Sequence, residues 1–239
     1  MTDGNGQYTL YDEAQVGADS LVFYADAYGF ESAERNVTWD GSTVLTQDFV
    51  LDPLFPWTGE VQTVSLEGAN RYETAVEGSQ MAFPEAGSCN TVVIASGENF
   101  PDALGGSALA GALKCPVLLT KPGELSSVTA AEIKRLGAKT AWIIGGTAAI
   151  SDLVPASLKN YGVNSTRIAG ATRYETASLV AKKTVAELGP YYAGDVMFAT
   201  GENFPDALAA APIAAYAGTP ILLVRGDSVP ATTMDALDD

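Results

Sequence analysis

The chain has 239 residues, and 47% of them are hydrophobic, which supplies enough apolar material for buried cores and argues against a disordered chain. The formal net charge of −16 argues against a nucleic-acid partner, because phosphate binding favours a basic face. The chain contains no histidine, so it holds neither a Ser-His-Asp nor a Cys-His catalytic site. Glycine, proline or a charge interrupts each apolar run before it reaches the length of a membrane span, so we expect no membrane contact.

The first 60 residues differ from the rest in charge and in pattern. They hold 11 acidic residues and one basic residue, Arg35. The segment 43–51 alternates in hydrophobicity and follows the turn residues Asp40 and Gly41, as is typical of antiparallel strands. We therefore expect residues 1–55 to form part of an antiparallel β-sandwich, which the proline-rich segment 52–60 links to the following residues.

The remainder of the chain contains an internal repeat. GANRYETA at 68–75 matches GATRYETA at 170–177, GENFPDAL occurs at both 97–104 and 201–208, and CPVLLT at 115–120 matches TPILLV at 219–224. Collinear matches of this kind indicate a duplicated structural module. We expect the first module at residues 61–160 and the second at 161–239. The second has no counterpart of KTAWIIGG (139–146), so we expect it to be incomplete and the chain to be a fragment.

Within the modules, short apolar runs alternate with segments of helix length. The predicted strands are 91–96, 116–120, 140–146 and a more polar segment, 163–170. The predicted helices of the first module are 71–83, 101–113, 129–136 and 150–158. Continuous apolar runs suit strands that are buried on both faces. The alternation therefore predicts an α/β fold with a mainly parallel sheet and helices on both sides.

GENFPDAL lies between a predicted strand and a predicted helix. Its glycine allows a tight exit from the strand, and its proline and aspartate suit the first turn of the helix. A strand-to-helix turn therefore explains most of the motif. A ligand site is the alternative, because ligands of open parallel sheets bind at the carboxyl ends of the strands. The groups placed there are Glu98, Asp102, Glu202 and Asp206, whose oxygens suit Mg²⁺ or Ca²⁺.

The arginines of the repeated RYETA motif suggest a different partner for these carboxylates. A guanidinium binds a carboxylate through two parallel hydrogen bonds. The sequence therefore also predicts an Arg71–Asp102 pair in the first module and an Arg173–Asp206 pair in the second.

GANRYETA, GENFPDAL, PVLLT and WIIGGTAAIS, in this order, closely resemble the cell wall-binding repeat 2 family. Its members are surface proteins of Gram-positive bacteria, and their repeats usually form three tandem modules with a Toprim-like or Rossmann-like fold. The resemblance implies a non-enzymatic, extracellular protein without a cofactor or a metal, which is anchored non-covalently through an anionic secondary polymer of the cell wall. It also implies a further wall-binding module in the same or another chain. Residues 1–53 are similar to part of a carboxypeptidase regulatory-like β-sandwich.

The resemblance points to two groups of binding residues. The PxLL motif that the family uses for anchoring matches Pro116, Val117, Leu118 and Leu119, and again Pro220, Ile221, Leu222 and Leu223. Because the modules are acidic, an anionic polymer requires local cations or a bridging cation. The candidates are Arg71, Arg173, Arg167, Lys121 and Arg225. The alternatives are that the PxLL strands belong to the core and that the cations after them, Lys121 and Arg225, are solvated loop residues.

The two cysteines, Cys89 and Cys115, precede two of the predicted strands. If these strands are parallel neighbours, both cysteines lie at the same end of the sheet, within reach of each other. An exported protein would oxidise such a pair, so we predict a disulfide between them.

Two other functions remain open at this point. A structural spacer in an adhesin stalk would use the same modules without wall affinity. A metal-dependent Toprim-like enzyme would use glutamate and aspartate to hold its metal. The acidic composition, the absence of a D-x-D motif and the absence of histidine argue against the enzyme.

Overall fold

The computed structural model describes residues 19–25, 33–39, 64–98, 100–203 and 205–238. The chain divides into two compact units, Met1–Val64 and Ser65–Asp239. In the first unit, strands β1 (Asp19–Ala25) and β2 (Ala33–Trp39) pair in the antiparallel sense. The antiparallel pairing agrees with the expectation for this segment, and the alternating residues 43–51 lie outside the described residues.

The second unit alternates helices and strands along the chain, as the sequence predicts. Its strands are β3 (Thr91–Ser96), β4 (Val117–Thr120), β5 (Thr140–Ile144), β6 (Asn164–Ile168), β7 (Met197–Thr200) and β8 (Ile221–Val224). Its helices are α1 (Arg71–Ala82), α2 (Phe100–Ala112), α3 (Ser127–Leu136), α4 (Leu153–Asn160), α5 (Arg173–Leu188), α6 (Pro205–Ala217) and α7 (Ala231–Asp238). Helix α4 begins later than predicted, because the amides of Ala149 and Ile150 both donate to the carbonyl of Gly146 in a turn.

A parallel four-stranded sheet has the strand order β4-β3-β5-β6 and joins three strands of the first module to β6, which lies just past the predicted module boundary at residue 160. Strand β3 lies between two neighbours, and its residues Val92, Val93, Ile94 and Ala95 are fully buried. The chain moves from β3 to β4 and then returns across β3 to β5, so right-handed crossovers place α2 and α3 on opposite faces of the sheet. The mainly parallel α/β fold is therefore confirmed.

The second module repeats the beginning of the first. Strands β7 and β8 pair in parallel, with Met197 opposite Ile221, which is the register of Val93 opposite Val117 in β3 and β4. Helix α2 of the first module packs against α5 and α6 of the second. Within the described residues, β7 pairs with β8 alone, whereas β3 has a neighbour on each side. This difference agrees with the missing counterpart of KTAWIIGG.

The predicted disulfide is absent from the structure, in which Cys89 and Cys115 are free and buried. The Cys89 thiol donates to the carbonyl oxygens of Thr91 and Lys114, at 3.0 and 3.7 Å, so it does lie beside the residue before Cys115. Burial, together with the neighbouring Cys89, raises the pKa of Cys115 to about 12. A thiol with this pKa stays protonated at neutral pH and reacts slowly.

Lys114 follows α2 in a left-handed conformation, with φ of 51°, and is the single non-glycine residue with positive φ in the described part of the chain. The corresponding residue of the second module is Gly218, with φ of 67°. We expect Lys114→Gly to raise the free energy of unfolding by about 0.5–1 kcal/mol, because relief of the left-handed strain exceeds the entropy that glycine adds to the unfolded chain. Urea unfolding followed by circular dichroism measures the change. Lys114→Ala keeps the Cβ atom and serves as the control, and an equal gain in both variants would contradict the explanation.

Candidate functional site

The two copies of GENFPDAL lie at the carboxyl ends of equivalent strands. The first follows β3 and leads into α2, and the second follows β7 and leads into α6. The amide of Gly97 donates to the carbonyl of Thr120 at the end of β4, at 2.9 Å, and that of Gly201 donates to Val224 at the end of β8, at 2.8 Å. The predicted strand-to-helix turn is confirmed, and each copy lies beside the end of a PxLL strand.

The arginine of each RYETA motif binds the first residue of the octapeptide. Arg71 donates through Nη1 to the carbonyl oxygen of Gly97, and Arg173 donates in the same way to Gly201, at 2.6 Å. Each glycine directly follows the last residue of its strand, and the guanidinium supplies a donor for the glycine's carbonyl. Asp206 is exposed and forms no ion pair with Arg173, so the carboxylate pairing predicted for the second module is wrong. The side chain of Asp102 lies outside the described residues.

A tyrosine from RYETA covers each of these glycines. A Cβ atom on Gly97 would lie 2.5 Å from Cε1 of Tyr72, and one on Gly201 would lie 2.6 Å from Cε1 of Tyr174. No side chain fits at such a distance, so the position requires glycine. Neither tyrosine was predicted as part of the site, although each one occurs in a repeated motif. The contact explains why the two motifs are repeated together.

The loops before α1 and α5 are each held by hydrogen bonds to side chains in the first turn of the helix that follows. In the first module, the amide of Gly68 donates to Oγ1 of Thr74 at 3.1 Å, and that of Ala69 donates to Oε2 of Glu73 at 2.9 Å. The second module repeats both bonds, with Thr176 and Glu175 as the acceptors. Asn70 and Thr172 cap α1 and α5. Loop, helix start and octapeptide therefore form one rigid corner, present twice.

Exposed cations lie at both corners. Arg71 and Arg173 are exposed although one nitrogen of each is bonded to the backbone. Lys121 follows β4 and forms an exposed ion pair with Glu124 at 2.6 Å, and the hydrogen bond that its ammonium group donates to Glu124 raises the pKa of Lys121. Arg225 follows β8, and its guanidinium lies over the ring of Tyr174, 5.4 Å from the ring centroid.

Exposed carboxylates lie at the corners as well, since Glu98 and Glu202 are both on the surface. Arg167 belongs to a different part of the sheet, because it donates to the carbonyl of Gly145 at 2.7 Å and to Asp152 at 3.1 Å. The corners therefore bring together Arg71 with Lys121 and Arg173 with Arg225, without Arg167.

The PxLL strands themselves lie mostly inside the protein. Leu118, Leu222 and Leu223 are at most 1% exposed. The other members of the two motifs are buried or half-buried, namely Pro116, Val117, Leu119, Pro220 and Ile221. Because they are buried, these residues belong to the core, and the exposed residues that follow the two strands are Lys121 and Arg225.

No cluster of three or more histidine, cysteine, aspartate or glutamate side chains suited to a metal ion occurs among the described residues. Across the same residues, every helix is too short or too polar to cross a membrane.

Comparison with known proteins identifies the family. Residues 65–155 and 167–238 match the model of cell wall binding domain 2. The chain is 34% identical over 172 residues to the N-acetylmuramoyl-L-alanine amidase LytC of Bacillus subtilis, which covers 72% of this chain and 33% of the amidase. It is 40% identical over 163 residues to the amidase enhancer of the same organism, which covers 68% of this chain and 22% of that protein.

A solved structure supports the same assignment. Cwp6 from Clostridium difficile superposes with a TM-score of 0.64 at 25% identity, over 93% of this chain and 43% of Cwp6. The chain thus spans a third or less of the two curated relatives. It belongs to the cell wall binding domain 2 family, and its location is the cell wall and the cell surface.

Proposed function

We propose that this chain anchors its parent protein non-covalently to the cell wall by binding an anionic secondary wall polymer, and that it is not itself an enzyme. The observation that carries the proposal is the repetition of one constellation. In each module an exposed arginine is held on the octapeptide, and a second exposed cation follows the PxLL strand. Two equivalent cationic corners on a protein of net charge −16 favour a repetitive, negatively charged ligand.

The remaining assignments belong to the same proposal. The modules, at 61–160 and 161–239, are of the Toprim-like or Rossmann-like type, and residues 1–55 are part of a carboxypeptidase regulatory-like β-sandwich. A further wall-binding module, in the same or another chain, adds a third corner. Two weak contacts to one polymer chain bind more strongly together than either does alone, because the second contact forms at a high local concentration.

Co-sedimentation with purified Gram-positive cell walls tests the proposal. We expect the chain to pellet with untreated walls and to stay in solution after acid has removed the polymers that are linked through phosphodiesters. The bound fraction should fall as salt rises, because exposed charges are screened. Failure to pellet with untreated walls would contradict the proposal.

A pair of double variants tests the role of the corners. Lys121→Gln with Arg225→Gln removes one exposed cation from each corner and should weaken wall binding roughly tenfold, if each contact contributes about 0.7 kcal/mol. Lys139→Gln with Lys159→Gln makes the same change in charge at the opposite end of the sheet, where both lysines are exposed. Equal weakening by both double variants would show that net charge, and not the corners, determines binding.

One observation favours a structural spacer as the second candidate. In the repeated segments before α1 and α5, most side chains already bind other parts of the chain, so the motifs fulfil a structural role without a ligand. A spacer would pellet with neither untreated nor acid-treated walls.

A further inference from the structure

The segment 64–66, just before the first corner, is the sequence counterpart of part of strand β6. VQTVSLEG at 61–68 matches VNSTRIAG at 163–170, with the same offset as the two RYETA motifs that follow. The loops after the two segments are also held by the same hydrogen bonds. The residues that correspond are Val64 to Thr166, Ser65 to Arg167 and Leu66 to Ile168.

The two counterparts have different surroundings. Strand β6 lies at the start of the second repeat, yet it pairs in parallel with β5 and forms the outer edge of the preceding module's sheet. Its last residue, Ile168, is 8% exposed and packs into the core of that module. Residues 64–66 belong to no strand, and Val64 and Leu66 are 73% and 41% exposed. The first repeat therefore begins with apolar residues that lack the cover that β6 finds on another module's sheet.

The backbone of β6 shows which groups such a segment offers to a neighbouring strand. The amide of Asn164 donates to the carbonyl of Lys139 at 2.8 Å, and the carbonyl of Ile168 accepts from the amide of Gly145 at 2.9 Å. Alternate residues of a strand direct their backbone groups to the same side. Every second residue of β6, counted from Asn164, therefore bonds to β5, and the residues between them face away.

The two modules of this chain offer no edge of the kind that β6 uses within the described residues. The outer edge of β5 is already occupied by β6. Strand β7 has an open side, but it corresponds to β3, which pairs with β4 and β5 and not with β6. The counterpart of β6 therefore requires a different module, one whose β5-type strand has a free edge.

We propose that residues 64–66 form part of the outer parallel strand of a further wall-binding module, by pairing with its β5-type strand as β6 pairs with β5. The proposal rests on the proposed function, which includes such a module. An added strand gains backbone hydrogen bonds from an open sheet edge, and its side chains enter pockets beside that edge. Leu66 would take the place in the partner's core that Ile168 takes in the first module. Each repeat then begins with a strand that completes another module's sheet.

Hydrogen exchange followed by NMR tests the proposal, on this chain alone and on its parent protein with the further module present. We expect the amides of Val64 and Leu66 to exchange roughly 100-fold more slowly in the parent protein, because a sheet hydrogen bond protects them there. The amide of Ser65 should exchange quickly in both, since it faces away from the partner strand. Fast exchange of all three amides in the parent protein would overturn the proposal.

Leu66→Asp tests the side chain. This chain alone should keep its melting temperature within about 2 °C, because Leu66 is exposed there. The further module of the parent protein should melt about 5 °C lower or more, because the carboxylate would enter its core. Leu153→Asp is the matched control, since Leu153 is 65% exposed and outside the segment, and it should leave both forms unchanged.

Equal effects of Leu66→Asp on this chain and on the parent protein would also overturn the proposal, because the residue would then act within its own module. Anchoring is tested separately by wall pelleting. Slow exchange at Val64 and Leu66 in a parent protein that does not pellet would refute anchoring alone. Pelleting of a parent protein in which both amides exchange quickly would refute the strand pairing alone.

Discussion

Arg135→Met is expected to lower the free energy of unfolding by about 3–5 kcal/mol, the usual cost of removing one partner of a buried ion pair. Arg135 binds both oxygens of Glu132, at 2.7 and 2.8 Å, and donates to the carbonyls of Phe83 and Pro84. Glu132 is 2% exposed and also accepts from Ser79 at 2.6 Å. Without the guanidinium, the carboxylate remains in the interior with too few donors, and the carbonyls of the two residues that follow α1 lose their bonds to α3.

The loss of unfolding free energy in Arg135→Met should depend on pH. Burial alone would raise the pKa of Glu132, but the hydrogen bonds from Arg135 and Ser79 outweigh it and lower the pKa. A lowered carboxyl pKa stabilises the fold above the unfolded value of 4.5 and loses this contribution as pH falls through the folded value. In Arg135→Met burial dominates, the pKa of Glu132 rises, and protonation relieves the buried charge. The difference between the parent and the variant should therefore shrink from pH 7 to pH 4.

Urea unfolding at both pH values measures the effect. Lys134→Met changes the neighbouring, exposed residue of the same helix and should alter stability by about 0.5 kcal/mol or less. Glu132→Leu combined with Arg135→Met should recover most of the loss, because an apolar pair often replaces a buried ion pair without cost. A double variant as unstable as Arg135→Met would show that the backbone bonds of Arg135, and not its charge, determine the loss.

The sequence predicted the sheet well because its evidence is local. The apolar composition of a run such as TVVIAS is enough to predict a buried strand, and this run forms β3 as predicted. The internal repeat then placed β7 and α6 by analogy with β3 and α2. The PxLL strands were harder to interpret, since core packing and ligand contact use the same residues, and the structure buries Leu118 and Leu222.

Contacts between distant segments were missed or misassigned. Arg173 was assigned a carboxylate partner because charge complementarity is visible in a sequence, whereas a backbone carbonyl after the end of a strand is not. The contact of Tyr72 with Gly97 depends on how α1 packs against β4, the neighbour of β3, which no local pattern encodes. The unpartnered hydroxyl of Ser126 could not be predicted at all, because serine at a helix start normally forms a cap.

Helix α2 provides a sharp test of how the two modules are held together. At Gly111 a Cβ atom would lie 2.0 Å from the carbonyl oxygen of Ala215 in α6, so the backbones of the two helices are in contact. At Gly105, in the same helix, the nearest atoms would be 3.9 Å away, in Ala177 and Val180. Substitution by alanine is therefore expected to have opposite effects on stability at these two positions.

Gly111→Ala is expected to lower the free energy of unfolding by about 1–3 kcal/mol, because backbone atoms must separate to admit the methyl group. Gly105→Ala should raise it by about 0.5–1 kcal/mol, since alanine favours the helix and meets only ordinary contacts. Urea unfolding followed by circular dichroism compares the two variants. A gain in both would mean that α2 and α6 do not approach each other this closely in solution.

The same contact bears on anchoring. Helix α2 begins in the octapeptide of the first module and α6 begins in that of the second, so the crossing at Gly111 sets the spacing between the two cationic corners. A shift of the crossing changes that spacing while both corners stay intact. Gly111→Ala should therefore weaken wall binding in conditions where the variant is still folded, whereas Gly105→Ala should bind walls like the parent chain. Unchanged wall binding by folded Gly111→Ala would show that each corner binds independently of the other.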